Sequence, residues 1–234
     1  MKALKFKRNI PRYAAAKIAG NIKPGSGASF GPIDLVHEDA PKSPGKDWVR
    51  VRPRLSGICG SDLATVDGKS ARYFEPLVSF PFTPGHEVVG NLDDDSRVVL
   101  EPVLSCTSRN ISPTCNPCKE GRIGNCENVT LGEISPGIQT GSCHDTGGGW
   151  ATEFYAHPSQ LHSVPEDFSD EAAVMVEPTA CGIHAALAAE LPDNGVVAIL
   201  GSGTLGQVTI SALRKHTNPK AIISSARYPE QKNL

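Results

Sequence analysis

Residue types that bind metal ions are concentrated in two short glycine-containing stretches of this chain. Cys59 lies in Gly57–Asp62, and His86 and Glu87 directly follow Gly85. Thiolate, imidazole and carboxylate groups are ligands of zinc in proteins, and glycine permits the tight turns that direct such side chains towards one point. A lone cysteine or histidine in a β-rich domain is more often a core or surface residue. The charged and hydroxyl neighbours of these two residues nevertheless favour a metal site that performs chemistry.

The remaining cysteines include a second group with metal-like spacing. Cys115 and Cys118 are separated by two residues, Cys126 follows after seven more, and Cys106 lies upstream. The chain has seven cysteines, an odd number, and its N-terminus lacks the apolar segment of a secretion signal. We therefore expect thiolates that hold a metal in preference to disulfides, and the cytoplasm as the compartment. Thiols without a metal are the alternative.

A glycine-rich loop late in the chain has the spacing of a dinucleotide-binding loop, G-x-G-x-x-G. It follows the apolar run Val196–Leu200 and opens a predicted helix, whose N-terminus favours the charge of a pyrophosphate. The residues predicted to bind the cofactor there are Gly201, Gly203, Thr204, Leu205 and Gly206.

The end of the following strand bears on the choice of nicotinamide cofactor. NAD-binding folds usually carry an acidic residue there, but this chain has Arg227 beside the expected position. A guanidinium suits the 2′-phosphate of NADP. We therefore predict NADP in preference to NAD, with a solvated surface arginine as the alternative interpretation of Arg227.

The elements that must position these residues differ between two parts of the chain. Short strand-like runs separated by Gly- and Pro-rich turns predict an irregular β-barrel or sandwich; they are Met1–Phe6, Trp48–Leu55, Val88–Gly90, Arg97–Leu100 and Thr152–Ala156. From Ser169 onwards the sequence predicts helices at Ser169–Val176, Thr179–Glu190 and Leu205–His216, and strands at Val196–Leu200 and Ala221–Ser224. A strand, a glycine loop, a helix and a second strand open a Rossmann unit. We place the domain boundary within residues 170–190, so that 1–180 and 181–234 form separate domains.

The bulk composition excludes two kinds of partner. Lys and Arg total 23 and Asp and Glu total 25, for a formal net charge of -2, so the sequence has no basic excess typical of nucleic-acid binding. No apolar run reaches the ~18–20 residues that cross a bilayer. We therefore predict neither a nucleic-acid partner nor a membrane partner.

Two of these stretches resemble the ligand motifs of the zinc-containing medium-chain dehydrogenase/reductase superfamily. Gly57–Asp62 agrees with G-x-C-G-[ST]-D and Gly85–Gly90 with G-H-E-x-x-G, and the order of motifs along the chain is that of the family. The resemblance implies a β-rich GroES-like barrel domain followed by the start of an α/β Rossmann domain. It also implies a dehydrogenase that uses zinc with NADP or NAD, acts on a small-molecule alcohol or polyol, and assembles as a homo-oligomer when whole.

The resemblance implies a role for each matching residue of the first group. Cys59 and His86 would bind the catalytic zinc, and Glu87 would be a ligand or near-ligand that exchanges with water or substrate. Ser61 would relay the substrate proton, and Asp62 would fix the orientation of a ligand.

The family's remaining catalytic ligand precedes its linking helix, where this chain has Glu177-Pro178. Simple-alcohol dehydrogenases of the family use cysteine there, whereas the branches that oxidise polyols, sugars and threonine commonly have a carboxylate followed by proline. The alternative is a glutamate that the helix dipole favours at a helix start. Cys181 and His184 on the same helix are interpreted as packing residues. Glu177 therefore favours a polyol, sugar or hydroxy-amino acid as substrate.

The second cysteine group resembles the structural zinc lobe of the same family. The last three ligands of that lobe are matched by Cys115, Cys118 and Cys126. Ser112 occupies the place of the first ligand, so we expect that the run Thr107–Thr114 contains an insertion and that Cys106 is the fourth ligand. Cys143 is the competing candidate. Four thiolates around zinc would stabilise the fold without taking part in catalysis.

The predicted Rossmann part is short, because a full dinucleotide fold has about six strands and this chain supplies two. We therefore expect an N-terminal part of a dehydrogenase that is poorly soluble, partly disordered after Gly195 and inactive by itself. The alternatives are a non-catalytic zinc-binding or partner-binding protein, a zinc-free reductase of the same superfamily, and a disulfide-rich binding module.

Overall fold

A computed structural model describes residues 1–233, and the chain divides into two compact units, Met1–Val174 and Met175–Leu234. Expectations that concern Leu234 lie outside the described residues. Each unit has its own apolar core, and we describe them separately.

The first unit is built on antiparallel strands. A two-stranded sheet pairs β1 (Lys2–Phe6) with β2 (Ile33–His37). The strands of the larger sheet are β3 (Val49–Ser56), β4 (Val88–Asn91), β5 (Arg97–Leu100), β6 (Phe154–Ala156) and β7 (Leu161–Ser163). Their order is β6–β3–β4–β5–β7, and every neighbouring pair is antiparallel. The register of β3 against β4 shifts between Pro53 and Leu55, which is a β-bulge.

Four α-helices connect or cover these strands. They are α1 (Ile10–Ile22), α2 (Gly60–Val66), α3 (Asn116–Lys119) and α4 (Asp170–Val174). Short 3₁₀ helices lie at Ser26–Ser29, Arg72–Leu77, Ile123–Asn125 and Pro158–Gln160. Among residues 1–233, no helix combines the length and apolar character that crossing a membrane requires.

Helix α1 is not among the sequence predictions. The side chain of Asn9 accepts the N–H of Arg12 at 3.0 Å, and Pro11 lies in the first turn; both features favour a helix start. Ile10 and Ile22 are 60% and 82% exposed. Since its apolar residues do not all face the core, hydrophobic periodicity does not reveal this helix.

The strands that carry the candidate site are buried on both faces. Val88 and Val98 pack with Phe154 on one face of the sheet, whereas Val89 and Val99 pack with Ala173 of α4 on the other. Consecutive buried valines are typical of strands covered on both sides. The ends of β3 and β4 are therefore packed against a core on both faces of the sheet.

The second unit contains a parallel strand pair joined by a helix. Its elements are α5 (Val176–Ala188), β8 (Val196–Leu200), α6 (Thr204–His216) and β9 (Ala221–Ser225), followed by a 3₁₀ turn at Pro229–Lys232. Val196 lies beside Ala221 in the parallel register. This is the predicted βαβ arrangement.

The core of the second unit lies between its two helices and one face of β8 and β9. Ala186 of α5 packs with Ala212 and Leu213 of α6. On the other face of the strand pair, Leu200 is 93% exposed and Ile223 is 62% exposed. Regular elements thus extend to Lys232, which differs from the partial disorder expected after Gly195. The packing of α5 against α6 supplies a core that the sequence reasoning did not consider.

Candidate metal centres and dinucleotide loop

The first candidate metal centre lies at one end of the β3–β4 pair. Ser56, the last residue of β3, pairs with Val88, the first residue of β4. Cys59 follows β3 by three residues, and His86 precedes β4 by two. Because the strands are antiparallel, both ligand loops leave the same end of the pair. The ligand atoms of Cys59, His86 and Glu87 consequently lie within 4.8 Å of one another.

Asp62, in the first turn of α2, lies close to both ligand loops. Asp62 Oδ2 accepts the N–H of Cys59 at 2.9 Å, while its Oδ1 lies 3.8 Å from His86 Nδ1. Asp62 and His86 are 7% and 6% exposed. Burial raises the pKa of Asp62, opposed by the charge of His86 and by backbone donors. Asp62 is thus a buried carboxyl between the two loops, whereas Ser61 is exposed at the start of α2.

Two glycines let the ligand loops approach each other closely. Gly57 N–H donates to the carbonyl oxygen of Glu87 at 2.8 Å, and a Cβ atom at Gly57 would lie 2.0 Å from Glu87 Oε2. Gly85 has a φ of 96°, in the left-handed region that favours glycine. A Cβ atom there would lie 2.6 Å from Trp150 Cδ1. Neither position accommodates a side chain without movement of its neighbours.

A segment far along the chain, Gly148–Trp150, hydrogen bonds to both ligand loops, and we call it the brace segment. Trp150 Nε1 donates to the carbonyl oxygen of Gly57 at 3.1 Å. The backbone N–H groups of Gly149 and Trp150 donate to the carbonyl oxygens of Gly85 and Pro84 at 2.8 and 3.0 Å. The sequence analysis does not anticipate these contacts, because they join positions far apart along the chain. The available signal was a run of three glycines directly before a tryptophan.

The second candidate metal centre is a cluster of four thiols whose ligand atoms all lie within 4.8 Å of one another: Cys106, Cys115, Cys118 and Cys126. Cys106 Sγ lies 3.6 Å from Cys115 Sγ and 3.7 Å from Cys126 Sγ. A tetrahedral site with Zn–S bonds of about 2.3 Å requires sulfurs about 3.8 Å apart, whereas a disulfide holds them at about 2.05 Å. The spacing therefore fits a tetrahedral metal ion and not a disulfide.

Backbone and side-chain N–H groups donate hydrogen bonds to a sulfur of this cluster. The N–H of Cys115 and the side-chain amide of Asn128 donate to Cys106 Sγ at 3.4 and 3.3 Å. A backbone hydrogen bond from Glu127 lowers the pKa of Cys115 to about 7, whereas burial raises the pKa of Cys118 to about 12. A bound metal ion would take the sulfurs as thiolates and displace the protons that remain on them.

The structure separates the two candidates for the fourth position of this cluster. The run Thr107–Thr114 turns back on itself, with the N–H of Ile111 donating to the carbonyl oxygen of Cys106 at 3.0 Å. Cys106 thereby lies with the other three thiols. Cys143 is buried in a different place, and its Sγ donates to the carbonyl oxygen of Ser135 at 3.4 Å.

The glycine-rich loop connects β8 to α6. Gly201 has a φ of 114°, and its N–H donates to Ser225 Oγ at 3.0 Å. A Cβ atom at Gly206 would lie 2.0 Å from the carbonyl oxygen of Gly201, whereas no atom would lie within 4 Å of a Cβ atom at Gly203. Thr204 and Leu205 form the exposed start of α6. Gly206 thus permits the helix to contact the loop, and the backbone at Gly203 is open to an approaching group.

Two further predicted site residues also belong to the second unit. The guanidinium carbon of Arg227 lies 5.5 Å from the ring centroid of Tyr228, and the arginine is exposed. Glu177 lies in the first turn of α5, where Cys181 Sγ donates to its Oε1 at 3.6 Å. Its contact with the metal stays a prediction. Cys181 and His184 are exposed, which corrects their interpretation as packing residues.

Comparisons with known proteins extend this description. A family model described as the alcohol dehydrogenase GroES-like domain matches residues 45–166. Sorbitol dehydrogenase of Arabidopsis thaliana is 32% identical over 192 residues, which cover 77% of this chain and 48% of that protein. The chain thus spans about half the length of the curated relatives it matches.

Solved structures show the same fold. Galactitol-1-phosphate dehydrogenase of Escherichia coli superposes with a TM-score of 0.69 at 23% identity, over 99% of this chain and 57% of that one. The alcohol dehydrogenase RspB of Escherichia coli, in complex with NADH, gives a TM-score of 0.70 at 23% identity, over 100% and 58% of the two chains. These likenesses confirm the predicted fold class, a β-rich GroES-like barrel domain followed by the start of an α/β Rossmann domain.

Proposed function

This chain belongs to the medium-chain dehydrogenase/reductase superfamily through its alcohol dehydrogenase GroES-like domain, and on that premise we propose that it serves a zinc-dependent, NAD(P)-linked dehydrogenase. The proposed reaction oxidises a secondary hydroxyl of a polyol, sugar or hydroxy-amino acid to a carbonyl. The observation that carries the proposal is the convergence of the Cys59, His86 and Glu87 ligand atoms within 4.8 Å.

Each residue of the first candidate metal centre would have a separate role in the proposed reaction. Zinc held by Cys59 and His86 would supply Lewis-acid chemistry to the substrate alcohol. Glu87 would act as the exchangeable group next to these ligands, and Asp62 would keep the Cys59 loop oriented through its 2.9 Å hydrogen bond. Ser61, exposed beside Cys59, would pass the alcohol proton to water.

Glu177 supports the proposed substrate class. A carboxylate followed by proline at this place resembles the polyol-, sugar- and threonine-oxidising branches of the family, and Glu177 would complete the ligand set. The 32% identity with a sorbitol dehydrogenase points in the same direction.

The loop Gly201–Gly206 would hold the nicotinamide cofactor. Open backbone at Gly203 and the N-terminus of α6 suit a pyrophosphate. Arg227 supports NADP over NAD, because its exposed guanidinium is available to a 2′-phosphate. The four-thiol cluster would hold a second zinc that stabilises the fold.

The test is the zinc content of the purified chain by elemental analysis, together with that of single variants. We expect about two zinc ions per chain, and the loss of one in Cys59→Ser and of one in Cys115→Ser. Cys106→Ser should lose the same ion as Cys115→Ser. Cys143→Ser is the matched control and should lose none, because Cys143 lies outside the cluster.

A titration of the chain with NADPH and NADH tests the second half of the proposal. Binding is measured and not turnover, because we expect this chain to be inactive by itself. Zinc without nicotinamide binding would favour the non-catalytic zinc-binding alternative. A wild-type chain without zinc, or a zinc content that Cys59→Ser leaves unchanged, would reject the proposed metal chemistry.

A further inference from the structure

One charged side chain close to the four-thiol cluster has no place in the proposed chemistry. Arg109 lies three residues after Cys106 in the run Thr107–Thr114, and it is 0% exposed. Complete burial of a guanidinium is costly unless its donors and its charge are satisfied. Arg109 therefore requires a structural reason.

Every hydrogen bond of the Arg109 guanidinium in the described residues goes to a backbone carbonyl oxygen. Nε donates to Leu104 at 3.1 Å, and Nη1 donates to Leu131, Ile134 and Ser135 at 2.9, 3.2 and 3.3 Å. Nη2 donates to Gly137 at 2.6 Å and to Ser135 at 3.4 Å. The planar fork of five N–H donors that only arginine offers is thus fully used.

These acceptors come from both sides of the cysteine cluster. Leu104 precedes Cys106 by two residues, and the other acceptors lie within 131–137, after Cys126. The backbone of Arg109 adds a further link, since its carbonyl oxygen accepts the N–H of Glu133 at 3.1 Å. Arg109 consequently holds the beginning and the end of the cluster-bearing segment together.

The charge of Arg109 has several acidic neighbours, of which Cys126 and Cys106 belong to the cluster. Carbonyl oxygens satisfy its donors but carry no net charge, whereas four thiolates around a divalent cation carry a net charge of about −2. Burial lowers the pKa of Arg109, and the neighbouring Cys143, Cys126, Asp145 and Cys106 oppose this shift. A buried cation and a buried anionic centre in one lobe would offset each other.

We propose that Arg109 is a positioning residue of the four-thiol metal centre, which holds Cys106 in place as the fourth ligand and offsets the negative charge of the thiolates. This inference rests on the proposed zinc occupancy of the cluster. The run between Cys106 and Cys115, which we predict to contain an insertion, is the one that carries Arg109.

The experiment compares zinc retention in Arg109→Lys, Arg109→Met and the control Arg122→Lys. Arg122 lies in the same lobe, but it is exposed and its hydrogen bonds go to Glu120. Each variant is prepared in the Cys59→Ser background, so that the remaining zinc belongs to the four-thiol cluster. Zinc per chain and the affinity against a competing chelator are measured.

We expect Arg109→Met, which keeps the length but loses the charge and the donors, to bind zinc about 10–100-fold more weakly than the parent. Arg109→Lys restores the charge but not the fork, and should recover the stoichiometry with an intermediate affinity. Arg122→Lys should match the parent. If Arg109 acted by packing alone, Arg109→Lys would bind zinc as weakly as Arg109→Met. Equal affinities of these two variants would therefore overturn the charge-offsetting role.

Equal zinc affinity in all three variants and the parent would overturn the inference while leaving the proposed metal centre intact. A parent chain without zinc in the cluster would overturn both. If Arg109→Met is poorly folded, the comparison of Arg109→Lys with Arg122→Lys decides, because both substitutions keep the charge and only the first removes buried hydrogen bonds.

Discussion

Replacing Gly57 by alanine tests whether the close approach of two loops assembles the first candidate metal centre. The added methyl carbon would lie 2.0 Å from Glu87 Oε2 and 2.9 Å from Glu87 Cβ. Non-bonded carbon atoms pack at about 3.5–4.0 Å, so Glu87 Cβ must retreat by at least about 0.6 Å. The decisive contact is the one with Cβ, because Cβ moves only with its backbone.

That movement strains the hydrogen bond from Gly57 N–H to the carbonyl oxygen of Glu87, which is 2.8 Å long. Forcing an extra methyl group into a packed site typically costs about 1–3 kcal/mol. Because His86 is the neighbour of Glu87, the same displacement separates the ligands. We expect Gly57→Ala to lose one zinc ion per chain while the four-thiol cluster keeps its own.

Gly60→Ala is the matched control in the same loop. A Cβ atom at Gly60 has no neighbour within 4 Å, and alanine favours the helix that begins there. Elemental analysis and the urea midpoint of unfolding are measured for both variants. Equal zinc content and equal midpoints in Gly57→Ala and Gly60→Ala would refute the reasoning.

Three further changes probe the surrounding structure. Trp150→Phe removes the indole donor to the Gly57 carbonyl oxygen and should lower the free energy of unfolding by about 1–3 kcal/mol; an unchanged urea midpoint would contradict this. Gly148→Ala would place a methyl carbon 2.2 Å from the carbonyl oxygen of Thr83, so we expect weaker zinc binding at the first centre than in the parent, measured with a competing chelator. A hydrogen bond from the side chain of Lys69 lowers the pKa of Asp67, and hydrogen bonds from two backbone N–H groups act in the same direction. The ionised carboxylate therefore stabilises the fold at a pH above its unfolded pKa of about 3.9. This stabilisation is lost as the pH falls through the lower pKa of the folded state. The difference in thermal midpoint between the parent and Asp67→Asn should therefore shrink on acidification, and a constant difference from neutral pH to about pH 3 would argue against this role.

Both groups of metal ligands could be predicted from the sequence, because most of their residues lie in short motifs. The ligand atoms that the structure brings together are those of Cys59, His86 and Glu87 and of the four predicted thiols. The elements of the second unit were also predicted within a few residues, since alternation of apolar runs, glycines and helix formers is a local property. The strand predicted at Val196–Leu200 has the same bounds in the structure.

Features that depend on long-range contacts were not predicted. Trp150 bonds to Gly57 across 93 positions, and Arg109 bonds to carbonyl oxygens up to 28 positions away. Which carbonyl groups need a donor is decided only after the strands have paired, and no periodicity in the sequence reports it. Exposed arginines and buried arginines look alike in a sequence, so burial of Arg109 required the structure.

The placement of both ligand loops at one end of the β3–β4 pair links metal binding to the accuracy of strand pairing. A slip of one residue in the register would displace Cys59 relative to His86 by about 3.4 Å and turn the side chains of one strand to the opposite face. A mispaired sheet would then lack the converging ligands. Because an ion that binds one form shifts the population towards that form, zinc would favour the correctly paired sheet over mispaired ones. On the proposed zinc occupancy, the yield of correctly paired chains would rise with the zinc supply during synthesis.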